Sequence, residues 1–174
     1  ADEFLERHGD EPGVELVRGV VVRFPMGGPE HGSVCINAGT ELKNFARANK
    51  LGRVMGNDTA IRLSADTVRG ADACFLSYAK WPADRKLPKV VLDVMPEVVV
   101  EVRSPSALWT EVFAKVGEYL AAGVAVVVVL DPATETATVL RPGPTQETVA
   151  KDGTLELPDV LPGFAVPVAR FFEE

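Results

Sequence analysis

EVVVEVRSPSALWTEVFAKVGEYLAAGVAVVVVLDP, residues 97–132, decides the fold. Residues 97–103 form a valine-rich run of strand length, stopped by Ser104-Pro105-Ser106. From Ala107 to Ala122 the apolar residues recur at helical spacing, and Gly123 stands where a helix C-cap belongs. Residues 124–130 are then almost all valine, closed by Asp131-Pro132. A continuous apolar run directly after a helix predicts a buried parallel strand, so the segment reads as a βαβ crossover. The run is far too short to span a bilayer.

Upstream, residues 2–8 suit a short helix, and VELVRGVVVRF (14–24) a hairpin turning at Arg18-Gly19. Pro29 opens a helix expected to reach about Lys50, with Val34, Ile36, Ala38, Leu42, Phe45 and Ala46 as its core residues. Residues 52–63 and 68–76 alternate as two strands about a turn at 64–66, and 78–95 read as a loop excursion with no clean period. Downstream, 136–140 and 147–150 form a hairpin across Pro142-Gly143-Pro144, and LPDVLPGFAVPVARFF packs as an irregular tail. The expected fold is one α/β (α+β) domain over residues 1–174: a mixed sheet flanked by helices, entered through an N-terminal β-hairpin.

The chain has 174 residues, 47% hydrophobic and 25% charged, the profile of a globular domain with a sizeable core. The acidic, polar start ADEFLERHGDEP is no signal peptide, and Cys35 and Cys74 read as reduced, buried thiols, so a cytoplasmic location is expected. A net charge of −7 opposes phosphate binding by Lys and Arg alone, although a bound metal supplies positive charge of its own.

Strand alternation puts Glu97, Val99, Glu101 and Arg103 on one face and Val98, Val100 and Val102 on the other, which must be core. A carboxylate within such a strand needs a cation or a metal. Glu101 pairs with Arg103 on a partly exposed face, or it turns inward. On the next helix Leu108, Val112, Val116, Tyr119 and Leu120 form the apolar arc, with Lys115 at its edge. Lys115 either pairs with Glu111 or leans toward Glu101. Asp72 interrupts another apolar strand and also needs a partner or an ion. Two carboxylates offer oxygen donors to Mg²⁺, which lowers the pKa of a bound water and offsets phosphoryl charge.

Several stretches, in order, resemble the Uma family of restriction endonucleases, a bacterial group within the PD-(D/E)XK nuclease superfamily. VELVRGVVV resembles its N-terminal "yEl-x-x-G" hairpin, PEHGSV its "p-x-H-x-x-v" helix start, and GNDTAIRL with TVRGADACFLS the strands around its "r-PD-v" aspartate. Residues 97–132 resemble "vvEVlSPS…K…Y…aGv…vwvvDP", and LPGFAVPVARFF the closing "lpGf…v…lf". The resemblance implies a restriction-endonuclease-like core and an endonuclease that hydrolyses DNA with Mg²⁺, or Mn²⁺. It places Asp72 and Glu101 at the two metal-binding acids and Lys115 at the catalytic lysine, carried on the helix. It makes Glu15 a further ligand of metal or water, the other reading being a surface charge on the hairpin, and His31 a phosphate contact or a neighbour of the site, the other reading being a polar residue at a helix N-terminus. The chain departs from the pattern at Ala71, where the family has proline, and at Arg103, where the superfamily has its lysine. Arginine stays charged at neutral pH, so Arg103 is able to hold a phosphate but not to act as a base. A duplex-cutting nuclease is expected to be a homodimer. The alternative is a nuclease fold without catalysis that serves as an interaction or oligomerisation module. A nucleotide- or sugar-binding enzyme is disfavoured, since no Gly-rich phosphate loop follows a strand.

Overall fold

The computed structural model describes all residues 1–174. After helix α1 (Asp2–His8) come strands β1 (Val14–Val17) and β2 (Val20–Arg23), then helix α2 (Pro29–Ala48). Arg18 and Gly19 both take positive φ, 49° and 80°, the backbone of a tight two-residue hairpin turn. The long strands β3 (Gly52–Ser64) and β4 (Thr67–Ser77) follow, then β5 (Val98–Val102), helix α3 (Trp109–Ala122) and β6 (Val126–Asp131). The chain closes with β7 (Thr136–Leu140), β8 (Gln146–Val149), β9 (Thr154–Glu156), β10 (Ala165–Pro167) and a 3₁₀ turn at Val168–Phe171.

The eight-stranded mixed sheet runs β2-β1-β4-β5-β6-β7-β8, with β3 also on β4. The crossover through α3 leaves β5 and β6 parallel, Val98 opposite Val126 through Val102 opposite Leu130. Gly123 ends α3 at φ 107°, the left-handed cap expected there.

The valine strands are buried on both faces. Val98, Val100, Val102, Val126, Val128 and Leu130 pack under α2, against Val34, Ala38, Leu42 and Ala46. Val99, Val127 and Val129 pack under α3, against Val116 and Tyr119. The face carrying Glu101 is therefore interior, and no partly exposed face exists for an ion pair with Arg103.

Three local expectations need correction, and the loop expected over 78–95 is present but anchored in the core. Ile36 is 68% exposed, because α2 buries the stripe 34, 38, 42, 46 and position 36 lies across the helix from it. Leu108 is 63% exposed and precedes the first turn of α3, where its N–H donates to the Glu111 carboxylate at 3.0 Å. Residues 78–95 lack a helix or strand, yet Trp81 and Leu92 are buried, and Leu92 bridges to Ile61. The tail is ordered: β9 and β10 pair antiparallel, and Leu155, Leu161, Phe164 and Phe171 close the core under α2. Its strands are three residues long, too short for alternation to reveal.

At Gly52 the start of β3 lies against the end of β4. A Cβ there would stand 2.8 Å from both the Phe75 ring and Ser77 Cα and would collide with the Leu76 carbonyl. Gly52→Ala is expected to destabilise the protein by roughly 2–4 kcal/mol through backbone displacement, read as a lowered urea midpoint at unchanged slope.

Candidate functional site

β4 changes partner along one of its edges. β3 pairs with it over nearly its whole length, from Ser77 to Thr67. The other edge meets β1 at Val68 and β5 from Ala73 to Phe75. Residues 69–72 face the gap between those two strands, and side chains occupy the backbone positions that a neighbouring strand would fill. Gly70 N–H donates to Glu15 Oε1 at 2.9 Å. The Gly70 carbonyl accepts from Lys115 Nζ at 2.9 Å and from Tyr119 OH at 3.1 Å. Across the fork, Val102 N–H donates to Asp72 Oδ2 at 2.7 Å.

Glu101 stands one register step beyond the Ala73–Val100 pair, opposite Asp72. Its carboxylate accepts from Lys115 Nζ at 2.7 Å and from Tyr119 OH at 2.9 Å. Lys115 also lies 3.2 Å from Glu15, and Arg69 bridges Glu15 and Glu118, each at 2.7 Å. Of the two geometries open to Lys115 from sequence, the inward one is adopted, because Glu111 is engaged at the start of its own helix.

The remaining predicted residues fall on the two sides of this cluster. His31, near the start of α2, donates from Nε2 to the Val102 carbonyl at 3.0 Å and lies 3.6 Å from Asp72. Arg103 turns away: it donates to Asp131 at 3.0 Å and its guanidinium lies 5.2 Å from the Trp109 ring centre. So the fork gathers Glu15, Asp72, Glu101, Lys115 and His31, while Arg103 sits at its margin toward β6.

Tyr119, Arg69, Glu118, Gly70, Asp58 and Cys35 were not among the sequence candidates. Tyr119 reads as core in a helical arc, and only its spacing of one turn from Lys115 hints otherwise. Asp58 belongs to a bulge between Gly56 and Thr59 where Asn57 and Asp58 both take positive φ, 60° and 55°. It lies over Gly70, where a Cβ would meet the Asp58 Cβ at 3.3 Å.

Acids outnumber cations here, and proton affinities follow. Burial pushes Glu101 up to about 8; Lys115 opposes this, and Asp72 and Glu15 add to it. Partial desolvation and Asp72 raise Asp58 as well. Burial alone would depress Lys115, but Glu101 and Glu15 outweigh it and keep the ammonium charged. Burial likewise opposes ionisation of Glu15, but Lys115, Arg69 and Gly70 N–H together hold it below the usual carboxylate range. Burial and the Glu101 charge raise the Tyr119 hydroxyl, so it acts as a donor.

Asp72 and Glu101 offer oxygen alone, the donor type Mg²⁺ and Mn²⁺ take, and a divalent cation would relieve the surplus of negative charge. The donor chemistry fits such an ion. His31, Cys35 and Asp72 form a second grouping, their ligand atoms all within 4.8 Å of one another.

A family model for Uma2, described as "Putative restriction endonuclease", matches residues 1–169. No curated protein matches the sequence. A solved structure described as "a putative nuclease belonging to DUF820", from Anabaena variabilis ATCC 29413, superposes with a TM-score of 0.85 at 19% identity, covering 98% of this chain and 96% of that one. At that identity the likeness is one of fold. No helix is long and apolar enough to cross a membrane.

Glu101 gives stability a pH signature. Its folded pKa of about 8 lies above the ordinary 4.5, so the folded state holds the extra proton between those values. The associated stability is complete at low pH and is lost as pH rises toward 8. Without added metal, melting is expected to fall by roughly 5–10 °C between pH 5.5 and 8.5, on the order of 2–3 kcal/mol, with a much shallower slope in Glu101→Gln. Equal slopes in both proteins would contradict the assignment.

Proposed function

This chain belongs to the Uma2 family, and on that premise we propose that it is a divalent-metal-dependent endonuclease that hydrolyses DNA phosphodiester bonds at the β4 fork. The observation that carries this reading is the meeting of Glu101, Lys115 and Asp72 where β4 passes from one partner strand to the next.

In this reading Asp72 and Glu101 hold Mg²⁺ or Mn²⁺. The ion, when bound, acidifies a water and screens the phosphoryl oxygens. Lys115 stays protonated, because acids surround it, and so serves as a fixed positive donor toward the attacking water or a phosphate oxygen rather than as a base. Tyr119 orients Glu101 from the same helix. Glu15 and Arg69 buttress Lys115 from β1 and β4. Arg103, anchored by Asp131, is placed to contact a flanking phosphate. The metal's charge offsets a chain whose net charge is −7. Two strands call for two sites, so a two-fold dimer belongs to the proposal, checked by light scattering.

One feature favours the non-catalytic alternative. Both Glu101 oxygens and one Asp72 oxygen already have protein donors. A fork satisfied in this way is able to serve as structure alone, in an interaction or oligomerisation module.

A plasmid-nicking assay separates the two. Wild-type protein is expected to nick with Mg²⁺ or Mn²⁺, and Asp72→Ala and Glu101→Ala to lose at least about 100-fold. Excess Mg²⁺ should raise the wild-type melting temperature and leave both variants unmoved. Cleavage unchanged by both substitutions overturns the assignment, and a folded wild type that neither nicks nor responds to metal leaves the non-catalytic reading.

Lys115→Met tests the cost of the arrangement. It removes the buried cation shared by Glu101 and Glu15, leaves Tyr119 OH as the remaining side-chain donor to Glu101 and the Gly70 carbonyl, and is expected to lose roughly 3 kcal/mol in chemical denaturation.

A further inference from the structure

On α2, one turn apart, His31 and Cys35 point at each other, with Cys35 Sγ 3.4 Å from His31 Nδ1. The Val102 carbonyl can only accept, so Nε2 carries the ring proton and Nδ1 presents a lone pair. A metal-binding histidine is commonly fixed in this way, its second nitrogen donating to a carbonyl. Zinc–sulfur and zinc–nitrogen bonds of about 2.3 and 2.0–2.1 Å, at a tetrahedral angle, put sulfur and nitrogen about 3.5 Å apart. The observed separation matches that edge with no ion present. Asp72 supplies a third ligand atom, within 4.8 Å of the Cys35 sulfur and a ring nitrogen of His31, and its Oδ2 lies 3.6 Å from Nε2. Gly27 keeps the approach open, since a Cβ there would stand 2.7 Å from Nδ1.

We propose that His31 Nδ1, Cys35 Sγ and an Asp72 oxygen form a site for a thiophilic divalent cation of the zinc class, overlapping the proposed Mg²⁺ site at Asp72. Three protein ligands leave the fourth tetrahedral position to water. Binding releases the thiol proton to solvent, while the neutral imidazole gives up none. Because Asp72 is shared, a zinc-class ion there withdraws it from Glu101, so such an ion inhibits cleavage supported by Mg²⁺. The inhibition rests on the nuclease reading; the binding does not.

Cobalt(II) is the probe. Titrated into the reduced full-length chain, it is expected to give one equivalent of tetrahedral Co²⁺ with a thiolate-to-metal charge-transfer band, bleached by Zn²⁺. Cys35→Ser and Cys35→Ala should abolish the band, and His31→Ala should weaken Co²⁺ binding at least about tenfold. Cys74 is fully buried, so it does not substitute for Cys35. Absence of the band at excess Co²⁺, or its survival in both Cys35 variants, overturns the site. In the nicking assay, Zn²⁺ should inhibit the wild type, and Cys35→Ser should need at least about tenfold more Zn²⁺ while cleaving normally with Mg²⁺. Equal inhibition of both proteins overturns the shared role of Asp72. If the wild type does not nick at all, the nuclease reading falls and the spectra alone decide the site.

Discussion

One edge of β4 must change partner between Val68 and Ala73, and the arrangement of the site follows from that change. A strand buried in a sheet cannot leave its N–H and carbonyl groups empty, since each costs about 1–3 kcal/mol unpaired. With no strand to meet residues 69–72, side chains must come to them. Glu15 arrives from β1, Lys115 and Tyr119 from α3, and Asp72 reaches the opposite way to Val102. Gly70 suits this close approach, because a Cβ there would press on Asp58 at 3.3 Å.

The same solution builds up charge. Glu15, Asp58, Asp72 and Glu101 converge on a region with Lys115 and Arg69 as its cations. Interior electrostatics are strong because water is excluded, so Glu101 and Asp58 bind protons more tightly and Lys115 cannot release its own. Such a cluster is poorly balanced for stability, and a cation held there, as proposed, would relieve its surplus of negative charge. The helices give it two sides. α3 brings ammonium and phenol hydroxyl, while α2 brings imidazole and thiol, and Asp72 lies between them.

Most elements were legible because their causes are local. Gly123 ends α3, Arg18-Gly19 turns the first hairpin, and a valine run after a helix lies parallel to the strand before it. Failures came where burial depends on distant packing. Ile36 faces away from a stripe set by the tail and sheet, and Leu108 lies outside the helix that its apolar character suggested. The tail strands were invisible because three residues carry no readable period. Arg103 looked like the partner of Glu101 from two-residue spacing, but β6 offers it Asp131, and Lys115 fills the place it would have taken.

The sequence by itself determined the order of strands and helices from α1 to β8, the parallel crossover and the residues able to carry charge into the core. Periodicity, capping and turn chemistry act between near neighbours, and they can be read along the chain. Tertiary structure alone decided which charges meet. Glu15 reaches Arg69 across 54 positions, and His31 reaches Val102 across 71. Those contacts depend on strand pairing and on where a sheet edge lies empty, which no local pattern encodes.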